Sequence, residues 1–177
     1  MSTALILLLT QGLLGAADTF WYHEWRLQLP RWTSARRELR LHASRDFAYA
    51  IVFGSLAWYT WDGLLAWALS GILLLEIAIT LWDFVEEDLR RKLPAGERVM
   101  HTIMSIIYGA FLACLIPEMV AWSARSTAFA AAEYGLISVL LTLMAVGVCV
   151  SGLRDLLASF RLDRPPSPTA SETVDGP

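Results

Sequence analysis

Leu64–Val85 reads LLAWALSGILLLEIAITLWDFV, a run in which Glu76 and Asp83 are the only ionisable groups. At about 1.5 Å of rise per residue such a run covers about 33 Å as a helix, enough to cross a hydrocarbon core about 30 Å thick. The stretch therefore predicts a transmembrane helix, and it sets the reading of the rest of the chain.

Four further apolar stretches flank it, over about 3–25, 38–61, 98–122 and 130–153. The expected fold is all-α: a polytopic membrane bundle of about five transmembrane helices, forming one domain over 1–164. The second stretch is the weakest of the five. Its purely apolar part, Phe47 to Trp61, is short for a span, so the crossing is expected to start near His42. Composition agrees with a membrane protein. The chain is 56% hydrophobic and 18% charged, whereas soluble domains run at about 45–50% apolar and about 25% charged. A cleaved signal peptide would carry a basic segment ahead of its apolar core. No Lys or Arg precedes Arg26, so the first stretch is read as a retained span.

Basic residues accumulate in cytoplasmic loops. Arg26, Arg31, Arg36, Arg37, Arg40 and Arg45 follow the first stretch, Arg90, Arg91, Lys92 and Arg98 follow the third, and Arg154, Arg161 and Arg164 follow the fifth. Of the 14 cations only Arg125 falls on the opposite side. The N-terminus is therefore expected outside and the C-terminus in the cytoplasm, in a cell inner (plasma) membrane crossed several times. Tryptophan favours the membrane interface. Trp21, Trp25, Trp32 and Trp82 fall at the expected cytoplasmic ends, Trp58, Trp61 and Trp122 at the external ends, and Trp67 just inside. Pro117 is expected to kink the fourth span or free a carbonyl. The tail over 165–177, rich in Pro, Ser and Thr, is expected to be disordered. Cys114 and Cys149 lack the spacing of a redox or zinc motif and read as packing residues.

Polar residues gather at one side of the membrane. The first span ends with Asp18, His23 and Glu24, and the second begins with His42 and Asp46. The third carries Glu76, Asp83, Glu86 and Glu87 towards its end, and the fourth begins with Glu97 and His101. All three histidines of the chain are in this set. Residues four apart share a helix face, so His42 with Asp46 and Glu97 with His101 each present an imidazole and a carboxylate together. Glu76, Thr80, Asp83 and Glu87 form one stripe, which Tyr49 and Tyr108 extend on neighbouring helices. At 100° per residue His23 falls about 140° from Asp18, which makes it the least secure member. Glu86, Glu87 and Asp88 stand beside Arg90, Arg91 and Lys92 and read as a solvated helix end. Glu76 lies about 10 Å inside its span, and an ionisable group at such depth is a functional candidate.

Imidazoles and carboxylates projecting inward from several helices suit a metal site. The candidate ligands are Asp18, His23, His42, Asp46, Glu76, Asp83, Glu97 and His101. The arrangement resembles the site logic of ferritin-like di-iron bundles, although their Glu-x-x-His spacing is replaced here by Glu97-x-x-x-His101 and His42-x-x-x-Asp46. The resemblance is confined to the span halves nearest the cytoplasm. It implies two iron ions and oxygen-dependent chemistry; zinc in the same place would imply hydrolysis. Membrane desaturases and hydroxylases need histidine-rich boxes that three histidines cannot fill.

Three functions follow as expectations. One is a metal-dependent oxidase, hydroxylase or hydrolase acting on a lipid-like substrate, with no catalytic residue assigned beyond the ligands. The others are a proton or metal-ion transporter and a non-catalytic membrane assembly protein. The partners expected are the bilayer and its lipids, and no nucleic acid, since topology accounts for the basic loops.

Overall fold

The structure is a computed structural model that describes residues 1–26, 35–90 and 92–162. Trp32, Arg31, Arg91, Arg164 and the Pro-rich tail lie outside these residues. Helix α1 (Ser2–Asp18) runs on as a π-helical segment, Thr19–Arg26, and is followed by α2 (Arg36–Leu56) and strand β1 (Tyr59–Asp62). Next come α3 (Leu64–Arg90), α4 (Ala95–Ser123), strand β2 (Ala128–Ala131) and α5 (Leu136–Arg161). Along the bundle α1 packs on α4 and α5, α2 on α3 and α5, and α3 on α4. The five helices thus close a ring in the order α1, α4, α3, α2, α5.

The polarity of this ring is inverted relative to a soluble bundle. Leu74, Leu75, Leu81, Ile106, Ile116, Val120, Leu143, Val146 and Val150 are exposed, while Asp18, His23, Glu38, His42, Glu76, Asp83, Glu87, Glu97, His101 and Asp155 are buried. In water the opposite sorting prevails. Outward apolar faces on four helices, each long and apolar enough to cross a membrane, suit a hydrocarbon surround.

The five expected helices are all present, and four of them are long and apolar enough to cross a membrane. Helix α2 is as long as a span, but it is not among the four. It sits between α3 and α5 with Leu39, Ala43, Ala48, Val52, Phe53 and Leu56 buried. Its polar side chains divide, Glu38 and His42 being buried in the ring and Arg36, Arg37, Arg40 and Ser44 exposed. The boundaries at the other end of the bundle also shift. Residues 59–61 and 130–131, placed by hydropathy inside the second and fifth spans, belong instead to a two-stranded antiparallel sheet pairing Tyr59 with Ala131 and Asp62 with Ala128. Apolar strands and apolar helix ends look alike to a hydropathy window. Gly63, at φ 64°, makes the turn from β1 into α3, and its N–H donates to the Trp122 carbonyl at 2.9 Å.

Beneath the sheet lies an apolar core built from one half of each helix. It includes Leu5, Leu8, Phe53, Leu56, Leu69, Phe111, Leu115 and Leu141. Trp61 and Trp122 belong to it, 6% and 2% exposed, so they are not interface anchors as hydropathy suggested. Trp61 instead donates to Ser55 at 3.1 Å. Trp21, Trp25, Trp67 and Trp82 do face outward. Helix α4 stays continuous through Pro117. Helices α2 and α5 approach closely at Gly152, where a Cβ would sit 3.0 Å from that of Asp46. Small residues permit such contacts in membranes, where packing replaces the hydrophobic drive. The opposite half of the ring is polar, and the candidate site lies there.

Candidate metal centre

Three helices supply the site through the same device, a pair of ionisable side chains four residues apart. They are Glu38 and His42 on α2, Asp83 and Glu87 on α3, and Glu97 and His101 on α4, and all six are buried. That spacing stacks both members of a pair on one face, directed here into the ring.

Helix α1 uses a different spacing. Asp18 and His23 are five apart, which an α-helix would splay, but the segment Thr19–Arg26 is π-helical with i→i+5 closure. The wider turn brings His23 back over Asp18, and His23 Nε2 lies 3.5 Å from Asp18 Oδ2. The 140° separation expected from α geometry is therefore overturned. His23 is 4% exposed and lies at the centre of the cluster.

Two groups of side chains place ligand atoms within 4.8 Å of one another: His23, Glu87, Glu97 and His101 form one, and Glu38, His42 and Glu87 the other. Each offers nitrogen and carboxylate oxygen, a donor set suited to first-row divalent ions. Glu87 is common to both. Its Oε1 lies 3.8 Å from His42 Nε2, and its Oε2 lies 3.7 Å from His101 Nδ1. One carboxylate thus turns an oxygen towards each group. The imidazoles of His23 and His42 stack between them, with centroids 4.7 Å apart.

Further carboxylates hold the imidazoles. Asp18 Oδ2 is 3.2 Å from His101 Nε2, on the side of the ring away from Glu87. Asp155 Oδ2 of α5 is 3.8 Å from His42 Nδ1, again opposite Glu87. The Asp18 hydrogen bond on His101 is of the kind that fixes tautomer and orientation in metal-binding histidines, whereas Asp155 acts on His42 as a nearby charge. Asp83 Oδ2 stands 3.1 Å from His42 Nε2 and accepts from Arg45 Nη1 at 3.0 Å. Arg154 neutralises Asp155 at 2.7 Å and Glu24 at 2.7 Å. Among the described residues, Asp18 Oδ1 and Asp83 Oδ1 are buried without a hydrogen-bond partner. Leaving such atoms unpaired costs about 1–3 kcal/mol each, and a metal ion or the groups it orders would offset that cost.

No family model, curated protein or solved structure matches this chain. The geometry alone therefore carries the reading of the site.

Of the eight residues singled out from sequence, Asp18, His23, His42, Asp83, Glu97 and His101 converge here. Asp46 does not join them: it lies one turn deeper on α2, against Gly152 of α5. Nor does Glu76, two turns from Asp83, which accepts from Thr80 at 2.8 Å. Three members were missed: Glu38, Glu87 and Asp155. Glu87 was read with Glu86 and Asp88 as a solvated helix end; only Asp88 is exposed, Glu87 being 1% exposed and Glu86 buried beside Arg37 at 3.5 Å. The signal for Glu38 was present, because Glu38-x-x-x-His42 repeats the spacing of Glu97-x-x-x-His101. Asp155 has no such signal, since its partner is on another helix.

Proposed function

We propose that this chain is a multi-pass membrane protein that holds two metal ions and uses them, as iron, in oxygen-dependent oxidation of a lipid-like substrate. The observation that carries the reading is Glu87, whose two carboxylate oxygens face two separate histidine-carboxylate groups. His23, Glu97 and His101 would hold one ion, Glu38 and His42 with Asp83 the other, and Glu87 would bridge them. When bound, iron supplies one-electron redox chemistry and activation of dioxygen. The protein residues set the ligand field, orient His101 through Asp18, place the charge of Asp155 beside His42, and keep the site dry. Seven carboxylate and imidazole residues, with Glu87 shared, would give each ion four protein ligands.

A lipid-like substrate agrees with the surface next to the site. A shallow groove on α4, lined by Ala95, Arg98, Val99, Thr102 and Ile103, places one exposed guanidinium above apolar side chains. That combination suits an anionic headgroup with its acyl chain. Transport is disfavoured by the other half of the bundle. A proton or ion path must continue across the membrane, and the core from Leu5 to Trp122 is apolar. The cytoplasmic side is the proposed location of the site, on the strength of the arginine distribution. A cysteine introduced at Ser126 should react with impermeant reagent only from outside the cell.

The test is elemental analysis of protein purified gently in detergent. Two equivalents of iron per chain are expected, falling in His101→Ala and Glu97→Ala. Two equivalents of zinc would redirect the reading to metal-activated water and hydrolysis. No stoichiometric metal would refute it.

A further inference from the structure

Helices α3 and α4 are neighbours in the ring and are fastened to each other at both ends. Beside the metal centre only residues 91–94 separate them in sequence. At the far end the Gly63 N–H donates to the Trp122 carbonyl at 2.9 Å and the Leu64 N–H to Thr127 Oγ1 at 3.1 Å. Between these ends, among the described residues, they touch least of the neighbouring pairs in the ring. Side chains rather than close backbone packing therefore shut this seam. At the level of the metal centre one of them is Phe84, half-buried, whose ring stacks on the His101 imidazole with centroids 5.1 Å apart and planes 15° apart. Behind that ring the site is least covered: His101 is 9% exposed, against at most 4% for the other six proposed ligands.

Helix geometry fixes what surrounds the seam. On α3, Asp83 meets Arg45 and His42 of α2, and Phe84, about 100° further round, turns to α4. On α4, Gly96 lies against Tyr22 of the π-helical segment. Arg98 is about 60° from His101, on the side away from Gly96, and so flanks the seam. It is exposed and, among the described residues, pairs with no carboxylate. Leu81 and Val85 of α3 and Val99 and Ile103 of α4 are exposed beside it. The mouth is therefore apolar, with a guanidinium at the end nearest residues 91–94. Lipid tails are as apolar as core side chains, so the Phe84 ring can leave His101 for hydrocarbon without losing hydrophobic burial. An acyl chain in its place keeps water from the centre.

We propose that an anionic phospholipid of the surrounding bilayer enters sideways between α3 and α4, its phosphate on Arg98, and that displacement of Phe84 admits its acyl chain to His101. That the lipid is the substrate rests on the oxidation reading above, whereas its entry requires no metal. Arg98 precedes His101 by three residues, about 4.5 Å along the helix axis. The carbons that reach the centre are therefore those nearest the headgroup, and the rest of the chain lies along the exposed apolar faces of α3 and α4. Phe84 and Arg98 thus select the substrate, by the width of the seam and by the charge of the headgroup, without ligating metal.

The experiment places full-length protein in liposomes of phosphatidylglycerol that carries a diazirine on the acyl carbons nearest the headgroup, with phosphatidylcholine bearing the same group in parallel. After illumination, adducts are mapped by tandem mass spectrometry, and iron is assayed in the same preparation. Adducts are expected on His101 as well as on the outward-facing Leu81 and Val85, and a diazirine at the chain terminus should miss His101. Phe84→Ala should raise labelling of His101 several-fold and Phe84→Trp should lower it. Arg98→Gln should lower labelling from phosphatidylglycerol about fivefold, the worth of one basic side chain at an anionic surface, and leave that from phosphatidylcholine unchanged. The wild-type maps need no mutation, so poor folding of a variant leaves the proposal testable. Adducts confined to outward-facing residues, or equal labelling of His101 in Phe84→Ala and Phe84→Trp, overturn it. Equal labelling from the two lipids overturns the role of Arg98. Labelling of His101 in protein that binds no iron supports lipid entry and refutes the oxidation reading, so the two failures are read separately.

Discussion

Replacing Glu87 by Gln keeps the shape of the side chain and removes its charge, and the structure gives that change a specific consequence. Oε1 and Oε2 face His42 and His101 at 3.8 and 3.7 Å, so the carboxylate serves both groups. An amide offers one oxygen, and its NH2 cannot bind a metal ion. At an effective dielectric of about 20, a unit charge about 4 Å from a divalent ion contributes about 8 kcal/mol. Displaced water and the amide dipole recover most of this. If a third is lost, about 3 kcal/mol, affinity falls about 100-fold for each of the two ions. A metal ion at 100 times its dissociation constant stabilises the fold by about 2.7 kcal/mol, and a 100-fold loss of affinity leaves about 0.4 kcal/mol. Chelator should therefore lower the thermal midpoint of the wild-type protein markedly and that of Glu87→Gln barely, while elemental analysis of the variant gives no more than one metal per chain. Asp88→Asn, one residue on and exposed, is the control and should behave as wild type. Were Glu87 only a member of a buried ion-pair network, its loss would cost about 3–5 kcal/mol with or without chelator. A variant that retains two metals at unchanged affinity would refute the bridging role.

Three further outcomes follow from other parts of the molecule. Asp155→Asn should weaken one of the two ions by 10- to 100-fold through the lost charge beside His42, read by competition with a chromogenic chelator, whereas Asp46→Asn should leave metal content unchanged. Deleting the outward-facing Phe20 should keep the metal, since it turns the five-residue spacing of Asp18 and His23 into the four-residue spacing of a regular α-helix; inserting Ala after Phe20 should remove the ion held by His23. Gly63→Ala should destabilise the protein by about 2 kcal/mol or more, because φ is 64° and the new Cβ would meet the Thr127 backbone at 2.6 Å. That loss, read as a fall in the thermal midpoint, should come with unchanged metal content, as the turn and the metal centre lie at opposite ends of the bundle.

The apolar runs and their lengths determined much of this. A segment such as Leu64–Val85 has few places to go other than a membrane, and the inverted sorting of side chains agrees with that reading. Sequence spacing also put Asp18, His42, Asp83, Glu97 and His101 near one end, because helix periodicity and loop placement are local properties. Tertiary structure decided the rest. Hydropathy could not separate a strand such as Tyr59–Asp62 from a helix end, since that distinction depends on what packs alongside. A uniform 100° per residue could not show that a π-helical segment returns His23 to the face of Asp18. The solvated reading of Glu87 followed from its basic neighbours in sequence, and burial between His42 and His101 reversed it. Asp155 met His42 only because α2 and α5 pack together. The sequence by itself thus determined the kind of molecule and the end at which its chemistry gathers. Which carboxylate joins the two histidine groups depended on the packing of helices far apart in the chain.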